Sequence, residues 1–134
     1  IALVGQSDGA DTVLDAAYGP TALSADAVVA LAPDPFNRPP AGRSPLLVVH
    51  GTADSVTPFS AGRSVYSSAP SPKAFLRLEG SDHLTPIVDV NQWSKVTDAV
   101  TLDYLATYLT GSSTLDQAQA AGTVPGVASF ERSG

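Results

Sequence analysis

The sequence predicts an α/β fold built on a mainly parallel sheet of about four strands with flanking helices. Short aliphatic or β-branched runs recur along the chain, as buried parallel strands tend to do, and stretches of helical composition separate them. Such strand–helix alternation favours a parallel sheet. With 134 residues the chain is long enough for one domain with a real core and too short for two of ordinary size.

The elements follow in order. Ile1 to Val4 is the first strand-like run, and Asp8 to Tyr18 behind it has helical composition. Ala27 to Ala32 is the second strand. Between Pro33 and Pro45 lie five prolines and no periodicity, which reads as a rigid loop, either a plain connector or a pocket wall. Leu46 to His50 is the third strand, Ser60 to Ser67 a helix and Ala74 to Leu78 the fourth strand. The longest helical stretch is Asn91 to Leu109, where Trp93, Val96, Val100, Tyr104 and Tyr108 recur three or four apart and share one face. Gly111 is its expected C-cap. Residues 111–134 read as a tail rich in Ala, Gly and Ser, with one short helix near Leu115 to Ala121. It holds no internal repeat and no second domain.

Composition excludes several classes of function. Apolar residues make up 43% and charged ones 15%, which fits a globular chain and not a disordered acidic polymer. Net charge is -6, and the seven basic residues are scattered, so no electrostatic footprint for nucleic acid exists. No apolar run approaches the roughly 18 residues that suggest a membrane span, and the N-terminus lacks a charged region followed by a cleavable apolar one. Cysteine is absent, so disulfides and thiolate metal sites are excluded; redox compartment and localisation stay open. No residue pattern calls for a metal or a cofactor. Methionine is absent too, even at position 1, so the expectation is a fragment, a processed chain or a trimmed one.

Chemistry enters where the first strand meets the first helix. Gly5-Gln6-Ser7-Asp8-Gly9 matches G-x-S-x-G and sits between a strand and a helix, the context this motif requires. A turn that tight throws Ser7 out at the carboxyl end of the strand. Glycine is expected on both sides, because a Cβ there would strike the neighbouring strand or helix. The helix N-terminus behind the serine offers backbone N–H groups to an oxyanion, that of Asp8 first.

Two further strands end in loops with the complementary side chains. The run Leu46 to His50 continues through Gly51-Thr52-Ala53-Asp54, and the run ending at Leu78 continues through Glu79-Gly80-Ser81-Asp82-His83. Alone, an Asp after a strand is usually a turn former and a loop His is usually solvated. Their order along the chain, Ser7, Asp54, His83, is that of one known serine hydrolase arrangement and differs from two others. His50 is a rival base or a core residue, and Asp34 a rival acid. Gln6 and Asp34 are candidates for the pocket wall.

From the elbow to about Ser129 the chain resembles the C-terminal half of an α/β-hydrolase, closest to bacterial dienelactone-hydrolase-like and cutinase-type esterases. The stretches Asp54-Ser55-Val56-Thr57-Pro58 and Leu78-Glu79-Gly80-Ser81-Asp82-His83-Leu84-Thr85-Pro86 resemble the acid and histidine loops of those polyester-degrading enzymes. The short excursion Pro33 to Pro45 is similar to theirs as well. Members acting on aromatic polyesters usually carry Trp after the Ala-Pro that precedes the proline loop, where this chain has Asp34. They also tend to flank the serine with His and Met, where Gln6 and Asp8 stand here. The true dienelactone hydrolases use a cysteine nucleophile, which this chain lacks.

The resemblance implies hydrolysis of a small-molecule ester through an acyl-enzyme, with Ser7 as nucleophile, His83 as base and Asp54 as orienting acid. It places the second oxyanion donor, and the partner strand on the far side of the first strand, in an N-terminal half of the same domain that precedes Ile1. Residues 1–134 alone are therefore expected to be inactive. A peptidase, thioesterase or perhydrolase would use the same triad. The competing class is a hydrolase-like module that only binds.

Overall fold

A computed structural model describes residues 1–36 and 40–134. It is a mixed α/β fold: a five-stranded, mostly parallel sheet with helices on both faces. Chain order and spatial order coincide, β1 (Ala2–Gln6), β2 (Ala27–Leu31), β3 (Leu46–Gly51), β4 (Lys73–Leu78) and β5 (Ala128–Ser133). The first four are parallel, and β5 joins β4 antiparallel.

Burial explains the run-like strands. Every residue of β2 and β3 is buried, because helices cover both faces of the sheet centre. Successive side chains alternate between two cores. Val28, Ala30, Leu46, Val48 and Phe75 meet α1 (Asp8–Tyr18) and α2 (Phe59–Ser68) through Leu14, Tyr18, Val65 and Tyr66. Val29, Leu31, Leu47, Val49, Leu76 and Leu78 meet α3 (Gln92–Leu109) and α4 (Leu115–Gly122) through Val96, Val100, Tyr104 and Ala118. All four parallel strands therefore deliver their carboxyl ends to one edge of the sheet.

Helix α3 buries the face its spacing predicts, with Val96, Val100 and Tyr104 in the core and Trp93 and Tyr108 packed partly against it. Asn91 caps it, its side chain accepting from Trp93 and Ser94 N–H at 2.9 and 2.8 Å while Ser94 Oγ accepts from Asn91 N–H. Such a capping box contributes on the order of 1 kcal/mol. At the other end Thr110 is the cap and Gly111, one residue later, takes φ 67°. The expected cap is thus displaced by one position: the left-handed residue lies just past the helix, where glycine has no Cβ to clash.

The segment 111–134, which reads as a tail, supplies α4 and β5. Only Ala128 and Phe130 of β5 face the core, and Ser129, Glu131 and Arg132 are exposed. Two inward residues are too short an alternation to stand out in a sequence. The proline-rich segment shows neither helix nor strand across its described residues; residues 37–39 lie outside them. On the opposite side of the sheet β1 is the edge strand, with Val4 half exposed. No helix among the described residues is long and apolar enough to cross a membrane.

Candidate active site

The tightest point in the chain is the passage from β1 to α1. Ser7 has φ 55° and ψ -124°, a conformation L-residues rarely adopt, at a cost of roughly 1–3 kcal/mol. It is held there from both sides. Its N–H donates to Leu31 O of the neighbouring strand (2.9 Å), and its carbonyl accepts from Ala10 and Asp11 N–H at 2.8 and 3.1 Å. A Cβ on Gly5 would lie 2.1 Å from the Gly9 carbonyl oxygen, so glycine is obligatory at that position. Gly9 differs from expectation. Among the described residues nothing lies within 4 Å of a Cβ placed there.

Asp54 follows β3 in a loop bound closely to the loop after β4. Ala53 N–H donates to Ser81 O (3.0 Å), Thr52 N–H to Leu78 O (2.9 Å), and Gly80 N–H to Thr52 Oγ1 (2.8 Å). Gly51 permits this approach, since a Cβ on it would be 2.2 Å from Ser81 O. The Asp54 side chain is fully buried. Its Oδ1 accepts from Val56 and Thr57 N–H at 2.9 and 2.8 Å, and its Oδ2 lies 2.7 Å from His83 Nδ1. Burial alone would raise its pKa, but the hydrogen bonds from His83, Thr57 and Val56 together outweigh burial and hold it below the ordinary carboxylate value.

His83 sits on a turn closed by Asp82, whose Oδ1 accepts from Leu84 and Thr85 N–H at 3.0 and 2.8 Å. Gln6 braces the same residue from β1, its amide donating to His83 O at 3.2 Å. The far ring nitrogen, Nε2, is 3.0 Å from Ser7 Oγ. A continuous line of hydrogen-bonding atoms therefore runs from Ser7 Oγ through the imidazole to the Asp54 carboxylate. It joins residues 76 and 29 positions apart in sequence. With Nδ1 donating to the carboxylate, Nε2 presents its lone pair to the serine hydroxyl. That is the tautomer a general base at Ser7 needs.

The rival acid and the rival base fall elsewhere. Asp34 is exposed, its N–H bonded to Asp11 Oδ1 (2.9 Å), and it lines a cavity of about 680 Å³ along α1 together with Asp11, Asp15, Tyr18 and Phe36. Asp54, and not Asp34, is the carboxylate on the His83 ring. His50 is buried beneath α2 and does not reach Ser7 as His83 does. Helix α1 begins at Asp8, so that residue's N–H is one of the first-turn donors with no acceptor inside the helix. Gln6 is a brace for the histidine loop, a role sequence reasoning did not anticipate. Asp82 was also missed, although Asp-x-x-Thr is a readable turn signal.

Among the described residues no group of three or more His, Asp or Glu is arranged to hold a metal ion. Compared with known families and curated proteins, the chain matches no family model and no curated sequence. The functional reading rests on the geometry and on the motifs that produce it.

Proposed function

We propose that the chain is the C-terminal part of an α/β-hydrolase of the dienelactone-hydrolase-like and cutinase-type esterases, and that the full-length protein cleaves carboxylic esters through an acyl-enzyme. The observation that carries this reading is the line Ser7 Oγ, His83 Nε2, His83 Nδ1, Asp54 Oδ2, with spacings of 3.0 and 2.7 Å at its two hydrogen bonds. A strained serine between strand and helix, at the carboxyl edge of parallel strands, supports it further.

In the proposed mechanism His83 Nε2 takes the Ser7 proton as Oγ attacks the ester carbonyl, and the imidazolium then gives that proton to the departing alkoxide. Water repeats the sequence on the acyl-enzyme and regenerates Ser7. Asp54 keeps Nδ1 protonated and stabilises the imidazolium without accepting its proton. The Asp8 N–H, at the positive end of α1, faces the charge that develops on the carbonyl oxygen.

A fluorophosphonate probe applied to the full-length protein tests the reading. The expected adduct maps to Ser7 by mass spectrometry, and Ser7→Ala is expected to lower kcat on a p-nitrophenyl ester on the order of 10⁴ to 10⁶-fold. A Ser7→Ala protein that kept a tenth of the activity would remove Ser7 as nucleophile. An unlabelled native protein would favour a binding module.

A further inference from the structure

The buried histidine beside the site is unexplained by the mechanism. His50 lies near the end of β3 on the face covered by α2, and its side chain is fully buried. Its Nε2 is 3.0 Å from the Thr57 carbonyl oxygen and 3.4 Å from Asp54 Oδ2. A carbonyl can only accept, so Nε2 carries the proton. Among the described residues Nδ1 has no hydrogen-bond partner. It faces the backbone of α2, where a Cβ on Gly62 would lie 2.3 Å away. A glycine inside a helix costs on the order of 1 kcal/mol relative to alanine. Here the absence of a side chain makes room for the imidazole.

The two atoms that His50 Nε2–H approaches belong to the two ends of one short loop. Thr57 returns its own N–H to Asp54 Oδ1, and the Oδ2 atom beside His50 is the one that holds His83. We propose that His50 is a positioning residue for Asp54: its Nε2–H holds the Thr57 carbonyl, Thr57 N–H in turn holds Asp54 Oδ1, and the loop so fixed sets where Oδ2 meets the His83 ring. The role rests on the hydrolase reading given above. Burial lowers the pKa of His50 more than Thr57 and Asp54 raise it, so the tether is neutral and adds no second positive charge beside His83. Phe59, edge-on to the ring at 5.9 Å, closes the outer side.

Glutamine and asparagine separate tethering from packing. The Gln amide nitrogen reaches the place of Nε2, whereas that of Asn reaches only the place of Nδ1. In the intact protein, His50→Asn is expected to lower kcat on a p-nitrophenyl ester and the rate of fluorophosphonate reaction at Ser7 about tenfold or more, with KM unchanged. Displacing a reacting group by about 1 Å can cost up to about 10²-fold. His50→Gln is expected to stay within about threefold of native. Gly62→Ala, which keeps the histidine but pushes its ring from the helix side, is expected to lower kcat as His50→Asn does.

Asn and Gln variants both within twofold of native, or both impaired in step with a lowered melting temperature, would overturn the tether. If His50→Asn does not fold, native kcat in Gly62→Ala would overturn it. A native protein that the probe leaves unlabelled would overturn the hydrolase reading and this role with it. A labelled native protein with an unaffected His50→Asn variant would overturn the role alone.

Discussion

Asp54 is the residue on which the site turns. It is buried yet held ionised, because Val56, Thr57 and His83 all direct hydrogen bonds at its two oxygens. Replacing it by Asn leaves the shape and removes the acceptor that keeps the proton on His83 Nδ1. Under the proposed mechanism Asp54→Asn is expected to lower kcat about 10⁴-fold, the cost of presenting the wrong tautomer to a serine. Asp34→Asn is expected to change it only modestly, since Asp34 contacts Asp11 and not the imidazole. Parallel kcat measurements on the two variants check this. A reversed result would move the acid to Asp34.

At the level of the element, the β1–α1 passage is the part of the fold under greatest steric constraint. Its two glycines are not equivalent, although the motif treats them alike. Gly5→Ala puts a methyl 2.1 Å from a backbone oxygen that cannot move without unwinding α1, whereas Gly9→Ala places one in open space and in a helix. Gly5→Ala is therefore expected to yield unfolded or inactive protein. Gly9→Ala is expected to keep the proposed ester turnover within a few-fold and to gain a few tenths to about 1 kcal/mol of stability from helix propensity. Urea denaturation together with ester turnover distinguishes the two. An inactive but folded Gly9→Ala variant would show that bound substrate or the preceding half of the domain comes against Gly9.

Across the whole molecule, the buried ionisable groups make stability depend on pH in a defined direction. His50 has a folded pKa below the ordinary 6.5, so the stability present above pH 6.5 is lost as pH falls toward its folded value, where only the unfolded chain takes the proton. Asp54 has a folded pKa below 3.8, so its contribution is complete above pH 3.8 and is lost as pH falls through the folded value. Tyr18 and Tyr104 are raised by burial from the ordinary 10, so their contribution is present below pH 10 and is lost as pH rises past it. The urea midpoint is expected to fall in two stages on acidification, the first beginning just below pH 6.5. In His50→Gln the first stage is expected to disappear. A midpoint that stays flat between pH 7 and 5 in the native protein would show that His50 takes up its proton as readily in the fold as in the open chain.

The elements were legible because they are local matters. Aliphatic runs such as Val28 to Leu31 and the three-or-four spacing of Val96, Val100 and Tyr104 carry their own periodicity, and Asp8 to Tyr18 begins and ends where composition places it. The G-x-S-x-G turn and the order Ser7, Asp54, His83 were legible for the same reason: each residue sits at the end of its own strand. Strand β5 was not, because Ala128 and Phe130 acquire an inward face only when β4 offers its free edge. What surrounds Asp54 lay further out of reach. The His50 tether depends on a missing Cβ in α2, the Gln6 brace on the distance between β1 and a loop after β4, and the indifference of Gly9 on empty space. Sequence determined which groups reach the sheet edge, since strand length and alternation do that; only tertiary packing decided their neighbours, since contacts between residues 12, 29 or 77 positions apart exist only once the layers close.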